Sequence, residues 1–357
     1  MLAKCKTGSV NATSSQTAAP TLPSTQQRVL LKHRPVDLLA HSDVELVTEP
    51  IPELENGEAL VHNEAIGIDA SVRTWLGEGS GYFPPVEIGE CVRSSTIGRI
   101  VATQSDRYEI GQVVTTLGAW EEYTVVRDDF FTTFVSDPDP EYDVEAFMAL
   151  YGSTGATAYI GMLEVAAVQK GDTVVVSAAA GATGSVAAQL AKLKGATVIG
   201  TAGGAEKCAW LVDELGLDGA IDYRSEDLSA RLRELAPKRV DVFFDNVGGA
   251  ILDAVLGRIA PNGRIALCGH ISTYTESEKS PGPANYVQLI QQQATMKGFL
   301  AYNEIARFPE IAVQLEAWHK SGDLQLNVDR HDGLEHCVDA LNAMFTGANI
   351  GKILVTL

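Results

Sequence analysis

The chain has 357 residues, 45% of them hydrophobic, and carries a formal charge of −19 at pH 7. That length is long for one domain and predicts two, while the negative charge disfavours a nucleic-acid or anionic-membrane surface, since both would repel it. No apolar run reaches the roughly 20 residues a bilayer-spanning helix needs, so the expectation is a soluble, cytoplasmic protein with no nucleic acid and no membrane as partner.

In chain order, residues 1–26 form a Ser/Thr/Ala/Gln/Pro tract almost free of large apolar side chains. Such a segment buries too little surface to offset its chain entropy and reads as a disordered tail. The first 36 residues carry no acid, which keeps an organelle presequence open as the alternative. Short strands follow at 28–32, 60–68, 97–102 and 123–126, punctuated by Pro50, Pro52, Gly57, Pro84, Pro85 and Gly111; residues 108–114 read as a tight turn into a strand. This is a compact, mostly β domain.

From about Asp143 the signals alternate. A helical stretch at 144–163, interrupted at Gly152 and Gly155, leads to strands at 173–177, 197–200, 219–222, 240–245, 264–268 and 295–298. Helices at 186–194, 206–215, 227–236 and 250–259 separate most of them. Strands spaced by helices of this length imply a doubly wound parallel sheet. A helix at 305–321 and a strand at 352–357 close the chain. The five cysteines, Cys5, Cys91, Cys208, Cys268 and Cys337, form no C-x-x-C pair. They suit a reducing compartment and exclude a clustered four-cysteine zinc site.

The most informative segment is 173–191, TVVVSAAAGATGSVAAQLA. A strand feeds the turn Ala178-x-x-Gly181-x-x-Gly184, which opens straight into a helix, the βα unit of a dinucleotide-binding Rossmann domain. Gly181 lets the backbone approach a pyrophosphate, Gly184 lets the helix pack against the strand, and the helix N-terminus offers free N–H groups. In NAD-binding units the second strand ends in an acid that bonds the ribose. Here it ends in Thr201-Ala202-Gly203-Gly204, without a carboxylate. Lys207, Tyr223 and Arg224 are better suited to a 2′-phosphate, which favours NADP over NAD; the plainer alternative makes Lys207 a solvated helix residue.

Taken together, these segments resemble the medium-chain dehydrogenase/reductase superfamily, and within it the zinc-independent group of alkenal double-bond reductases that includes prostaglandin and curcumin reductases. The resemblance spans Arg28 to Leu357. It is carried by 152–159 (GSTGATAY), AAAGATGSVAAQLAKLKG, 202–208 (AGGAEKC), 244–249 (FDNVGG), 267–274 (LCGHISTY), 297–300 (KGFL) and 349–352 (NIGK). It implies a GroES-like β domain at 27–147, completed by 323–357, and a Rossmann NADP-binding domain at 148–322. Where zinc-binding relatives have a cysteine and a Gly-His-Glu segment, this chain reads Gly67-Ile-Asp69 and Gly89-Glu90-Cys91, a poor set for a catalytic zinc. No metal is therefore expected.

The same resemblance implies site roles. Gly181, Ala182, Thr183 and Gly184 cradle the pyrophosphate of NADP(H), and Lys207 and Gly203 hold the 2′-phosphate with Tyr223. Asn246, Cys268 and Gly269 line the cofactor, and Phe299 and Asn349 sit near the nicotinamide. Plainer roles exist for three of these: Asn246 as a helix cap, Phe299 as core and Asn349 as part of a glycine-flanked turn. Tyr274 is the catalytic candidate. When a hydride is added to the β-carbon of an enone, charge collects on the carbonyl oxygen, and a phenol or ribose hydroxyl stabilises the enolate. A phenol of ordinary pKa, about 10, is protonated at neutral pH and can donate; packing under the polar loop 275–285 is its plainer role. Relatives read Asp-Pro-Tyr-Met-Arg where this chain has Asp69-Ala-Ser-Val-Arg73 followed by Trp75. An aromatic substrate wall of Trp75, Tyr82 and Tyr286 is expected instead, with core packing as the alternative for Trp75. The leading function is NADPH-dependent reduction of an enone, a small-molecule partner, by a homodimer. A quinone reductase of the same superfamily and a non-catalytic NADPH-binding redox sensor are the alternatives.

Overall fold

The computed structural model describes residues 22–78, 83–127, 133–136, 142–275 and 282–357. Strand β1 (Thr25–Leu31) begins inside the segment expected as tail. Its Gln26 is buried and its side-chain oxygen accepts from the Tyr123 amide at 2.9 Å, so Thr25 and Gln26 belong to the folded domain and not to a tail. β1 pairs antiparallel with β2 (Val44–Pro50), a strand whose charged sequence hides it from a hydrophobicity reading.

A second sheet is built from β3 (Ala59–Ile68), β4 (Arg93–Thr103), β5 (Val113–Ala119), β6 (Tyr123–Val126) and β7 (Thr133–Ser136). Helix α1 (Ser71–Trp75) follows β3. The helical stretch expected at 144–163 comprises α2 (Val144–Ala146), a π-helical turn at Phe147–Tyr151, α3 (Ser153–Tyr159) and a second π-helical turn at Ile160–Val165. Gly152 breaks it with extended backbone, whereas Gly155 lies inside α3 and breaks nothing.

The alternating half forms β8 (Thr173–Val176), α4 (Ala182–Leu193), β9 (Thr197–Ala202), α5 (Ala205–Asp213), β10 (Gly219–Asp222), α6 (Leu228–Leu235), β11 (Val240–Asp245), α7 (Gly249–Leu256), β12 (Ile259–Leu267), α8 (Gln288–Gln291) and β13 (Thr295–Gly298). All six strands are parallel, in the order β10-β9-β8-β11-β12-β13. The order reverses between β8 and β11, and a crevice opens there beyond the carboxyl ends of the strands. Helices cover both faces, so β8 is a continuous apolar run whose Val174, Val175 and Val176 are fully buried.

The chain then leaves this sheet through α9 (Phe308–Lys320), β14 (Val328–Asp332), α10 (Cys337–Thr346) and β15 (Lys352–Thr356). β15 pairs antiparallel with β3 and parallel with β14, so the last residues complete the first sheet in the order β14-β15-β3-β4-β5-β7. β14 and α10 were not apparent from the sequence. Val328–Asp332 reads VDRHD and becomes a strand only because β15 offers its edge.

Candidate cofactor and substrate cleft

A cleft of about 490 Å³ lies at the strand-order reversal, between the parallel sheet and the sheet that the C-terminal strand completes. Gly181 is the N-cap of α4, and Gly181, Ala182, Thr183 and Gly184 all line the cleft. Gly184 is dictated by packing: a Cβ there would lie 2.2 Å from the carbonyl oxygen of Ala178. A Cβ at Gly181 would meet only that same oxygen, at 3.2 Å, so the side it leaves bare faces the cleft, where an incoming phosphate would need it clear. The C-terminal segment clasps this turn: the Gly351 amide donates to the Ala180 carbonyl at 2.8 Å.

The floor of the reversal is held by buried polar groups. Ser177 Oγ donates to Asp245 Oδ1 at 2.7 Å, and the same carboxylate accepts from the amides of Val247 and Gly248, each at 3.0 Å. Burial pushes the Asp245 carboxyl up, against those hydrogen bonds. Asp245, not Asn246, thus serves the start of α7. The Asn246 amide group donates to the Ser177 carbonyl at 2.7 Å while its residue lines the cleft.

At the other end, Gly203, Lys207 and Tyr223 line one corner. A Cβ at Gly203 would fall 2.8 Å from both the Tyr223 hydroxyl and Arg224 Nε, so glycine alone leaves this corner open. Asp222 fixes the turn: its carboxylate accepts from the Gly204 amide at 2.8 Å, the Arg224 amide at 3.0 Å and Ser225 Oγ at 2.7 Å. These bonds, Ser225 foremost, hold its pKa below the usual carboxylate value. Lys207 is half-buried, and burial, then the neighbouring Arg224 guanidinium, lowers its pKa, with Asp329 opposing. Arg224 also lies over the Tyr223 ring and donates to the Thr346 carbonyl at 2.6 Å. Two cations around a glycine-cleared corner, and free amides at a helix start, fit the two phosphate regions of a dinucleotide.

Cys268, Gly269 and Tyr274 line the cleft after β12. Burial pushes the Cys268 thiol up to about 12, which keeps it a neutral, unreactive group. The Tyr274 hydroxyl is 3.3 Å from where a Cβ at Gly269 would stand. Burial raises its pKa, partly opposed by a hydrogen bond from the His270 backbone. The phenol is therefore a protonated donor at neutral pH. Phe299 lines the cleft and also packs edge-on against Phe244 at 6.3 Å, so its core role and its cleft role coexist. Asn349 does likewise, lining the cleft while its side-chain amide braces the turn on the Gly351 carbonyl at 3.2 Å.

The expected aromatic wall is corrected. Trp75 lines the cleft, Tyr82 lies outside the described residues, and Tyr286 is 62% exposed on a short 3₁₀ turn beside α7, away from the cleft. That turn is anchored on α7 through Asn285, whose amide donates to Asp253 at 2.6 Å, and this carries Tyr286 outward. The observed wall is a chain of rings: Trp75 to Phe83 at 5.5 Å, Phe83 to Tyr302 at 5.8 Å, and Tyr302 to Phe308 at 6.4 Å. Of the expected cover loop 275–285, residues 276–281 lie outside the described residues.

Sequence reasoning missed a charged pair in the cleft. Lys352 is 1% exposed, and its Nζ donates to Asp69 Oδ1 at 2.6 Å. Ser95 Oγ donates to the other oxygen of Asp69 at 3.3 Å, and Asp69 and Ser95 both line the cleft. The signals in the chain were the lysine that ends the NIGK segment and opens the apolar strand KILVT, and the aspartate at the head of the segment 69–73. Asp69 is thus committed to Lys352, and Cys91 Sγ donates to the Trp120 carbonyl at 3.3 Å with its thiol pushed up to about 12 by burial. Among the described residues no three His, Cys, Asp or Glu side chains gather as metal ligands, and no helix is long and apolar enough to cross a membrane.

Comparison with known proteins bears on the whole chain. Residues 27–133 match the family model of an N-terminal domain of oxidoreductase, and 182–318 that of a zinc-binding dehydrogenase. The chain is similar to the NADP(+)-dependent 2-alkenal reductase of Nicotiana tabacum, 33% identical over 92% of this chain and 96% of that one. It is also similar to the NADPH-dependent curcumin reductase of Escherichia coli, 29% identical over 92% and 96%. Among solved structures, CurA of Vibrio vulnificus in complex with NADPH superposes with a TM-score of 0.87, at 31% identity over 92% of this chain and 98% of that one. With the strand order, the glycine turn and these relatives in agreement, the chain belongs to the medium-chain dehydrogenase/reductase superfamily, in its zinc-independent group of double-bond reductases.

Proposed function

We propose that the chain is an NADPH-dependent reductase of the carbon–carbon double bond of α,β-unsaturated ketones or aldehydes. One observation carries this reading: a single cleft joins a phosphate-ready glycine turn, a two-cation corner and a half-buried, protonated phenol. The similarity to reductases of 2-alkenals and curcumin supports it.

When bound, NADPH supplies a hydride. The amides at the start of α4 and the Lys207–Arg224 corner bind its phosphates and fix its direction along the cleft. Trp75 and Phe299 bound the region where the conjugated substrate lies, and their apolar rings exclude water from the reacting carbons. Tyr274 holds a proton on its hydroxyl and donates a hydrogen bond to the substrate carbonyl oxygen. Reduction adds one hydride at the β-carbon and one proton, from the Tyr274 hydroxyl or from water, at the α-carbon, and consumes the π bond. Between the two additions the negative charge rests on that oxygen, where a donor preorganised in a low-dielectric site is most effective. Burial matters twice here, since it keeps Tyr274 protonated and strengthens its bond to the developing charge.

The test is NADPH consumption by the purified chain against a panel of 2-alkenals, cyclic enones, aryl enones and quinones, with the products identified by NMR. Saturated ketones or aldehydes are expected. Turnover of quinones alone would reassign the activity to quinone reduction, and cofactor binding without any turnover would leave a binding protein.

A further inference from the structure

A second cavity, of about 870 Å³, adjoins the cleft. Ser95, Ser153 and Tyr302 line both, so only these side chains stand between the two spaces at that point. Its walls come from β5, from the π-helical segment around Tyr151, and from α9. The chain of rings described above leads into it, because Tyr302 stands at the junction and Phe308 beyond it.

Three observations define what this space would hold. The first cleft, at about 490 Å³, must take a dinucleotide as well as the reacting end of a substrate, so a long substrate has to extend elsewhere. The second cavity is rich in flat rings, Tyr142, Phe147 and Tyr151 among them, which suits an aryl group packed edge-on or offset. Finally, the Tyr142 hydroxyl is buried and has no hydrogen-bond partner among the described residues. A buried donor without an acceptor is unfavourable until one arrives. Tyr151 differs, since its hydroxyl is already bonded to His319 Nδ1 at 2.5 Å.

The charge in the cavity selects among acceptors. Asp143 and Glu316 line it, and the lysine present, Lys320, is paired with Glu316 at 2.7 Å. A carboxylate would meet two acids, one engaged cation and the His319 imidazole already bonded to Tyr151. A neutral oxygen would not be repelled.

We propose that this second cavity binds the distal arm of the substrate, an aryl group bearing a neutral hydrogen-bond-accepting oxygen, while the conjugated double bond lies in the first cleft. The proposal rests on the reductase reading for the position of the double bond, but the arm's site is testable without turnover.

Ala312 lines the second cavity and not the first, so Ala312→Phe fills one space and leaves the other. With the full-length enzyme and NADPH, kcat/KM for 4-methoxychalcone should fall at least about tenfold, and that for trans-2-hexenal should stay within about twofold. Equal losses for both substrates, or no loss for either, would overturn the assignment. Tyr142→Phe should raise KM for 4-methoxychalcone about three- to tenfold and leave kcat and unsubstituted chalcone unchanged; the same change with both chalcones would refute the acceptor's role. Calorimetric titration of the saturated ketone of 4-methoxychalcone onto the NADP-loaded enzyme gives the second readout. Binding to wild type that is lost in Ala312→Phe supports the site, even if wild type consumes no NADPH with any enone, which would sink the reductase reading alone. Equal binding by both proteins, or none by wild type, overturns the site.

Discussion

Replacing Lys207 by Met keeps the aliphatic stem on α5 and removes the charge, and it should separate the two nicotinamide cofactors. Lys207 is half-buried beside Arg224, and both burial and that guanidinium work against its protonated form, with Asp329 as partial compensation. A 2′-phosphate arriving in the corner cleared by Gly203 relieves the repulsion and gains charge-assisted hydrogen bonds. One such bond contributes about 1.5–3 kcal/mol, or about 10- to 150-fold at ~1.4 kcal/mol per tenfold. Because Arg224 remains, we expect the lower half of that range for the rise in NADPH KM. NADH lacks the phosphate, and its KM should move by less than about threefold. The assay is initial rate against cofactor concentration at saturating enone, for both cofactors and both proteins. Equal rises for NADPH and NADH would refute the assignment of this corner. The pH dependence has a definite sign. Phosphate binding favours the charged amine, so the contribution is fully present below the pKa of Lys207 in the free enzyme. It is lost as pH rises through the higher pKa in the complex. As the free value is already lowered, NADPH KM should begin to climb below the ordinary lysine pKa in wild type and stay flat in Lys207→Met.

Tyr274→Phe removes the one phenol donor placed beside Gly269. Loss of an oxyanion donor costs about 10²–10³ in kcat, and a ribose hydroxyl that shares the role would hold the loss nearer the lower figure; unchanged kcat would remove Tyr274 from the chemistry. Lys352→Met leaves Asp69, among the described residues, with Ser95 alone as a side-chain hydrogen-bond donor. Breaking a buried pair costs about 3–5 kcal/mol, but the Asp69 side chain is 36% exposed, so water should reduce this to about 1–3 kcal/mol in urea unfolding. The double variant with Asp69→Asn should recover part of it, and simple additivity would refute the coupling. Gly184→Ala forces a Cβ to within 2.2 Å of a turn carbonyl, and loss of measurable NADPH binding in titration is expected; wild-type affinity would mean the turn is pliable. β13 is one of the two edges of the parallel sheet, the other being β10, and it has Val287 and Ile290 exposed just before it. Light scattering should therefore give the mass of a homodimer, converted to monomer by Ile290→Lys; a wild-type monomer at micromolar concentration would refute pairing through this edge.

The sequence was most legible where local chemistry and tertiary structure point the same way. The apolar runs at 174–176 and 242–244 are buried on both faces, so their strands could be read from composition alone. Asp227 at the start of α6 is a true cap, its carboxylate accepting from the Ala230 amide at 2.9 Å. What could not be read depends on partners far away in the chain. β14 is half charged and exists because β15 provides an edge. Tyr302 belongs to no motif, and only folding sets it between Phe83 and Phe308. Tyr286 shows the reverse: an aromatic residue in a suitable stretch that Asn285 pins to the outside of α7.

The Lys352–Asp69 pair is the sharpest case. Its members are 283 residues apart, and although each lies in a segment comparable with the family's, nothing in either segment pairs it with the other. A lysine at the head of an apolar strand would ordinarily turn its amine to solvent. Here β15 is hydrogen-bonded to β3 on one side, while Gly351 donates to the glycine turn at Ala180 on the other. The Lys352 side chain is therefore enclosed at the junction, and burying its charge is tolerable only because β3 delivers a carboxylate to the same point. One residue before the pair, the chain grips the expected phosphate turn; at the pair, it grips the floor of the substrate side. The ion pair thus locks β15 to β3 within one sheet, and the Gly351 amide, one residue away, ties that sheet to the glycine turn of the other. Asp69 lines the cleft and Gly351 holds the glycine turn, so a change at Lys352, which touches the first and adjoins the second, should be felt in substrate KM as well as in stability.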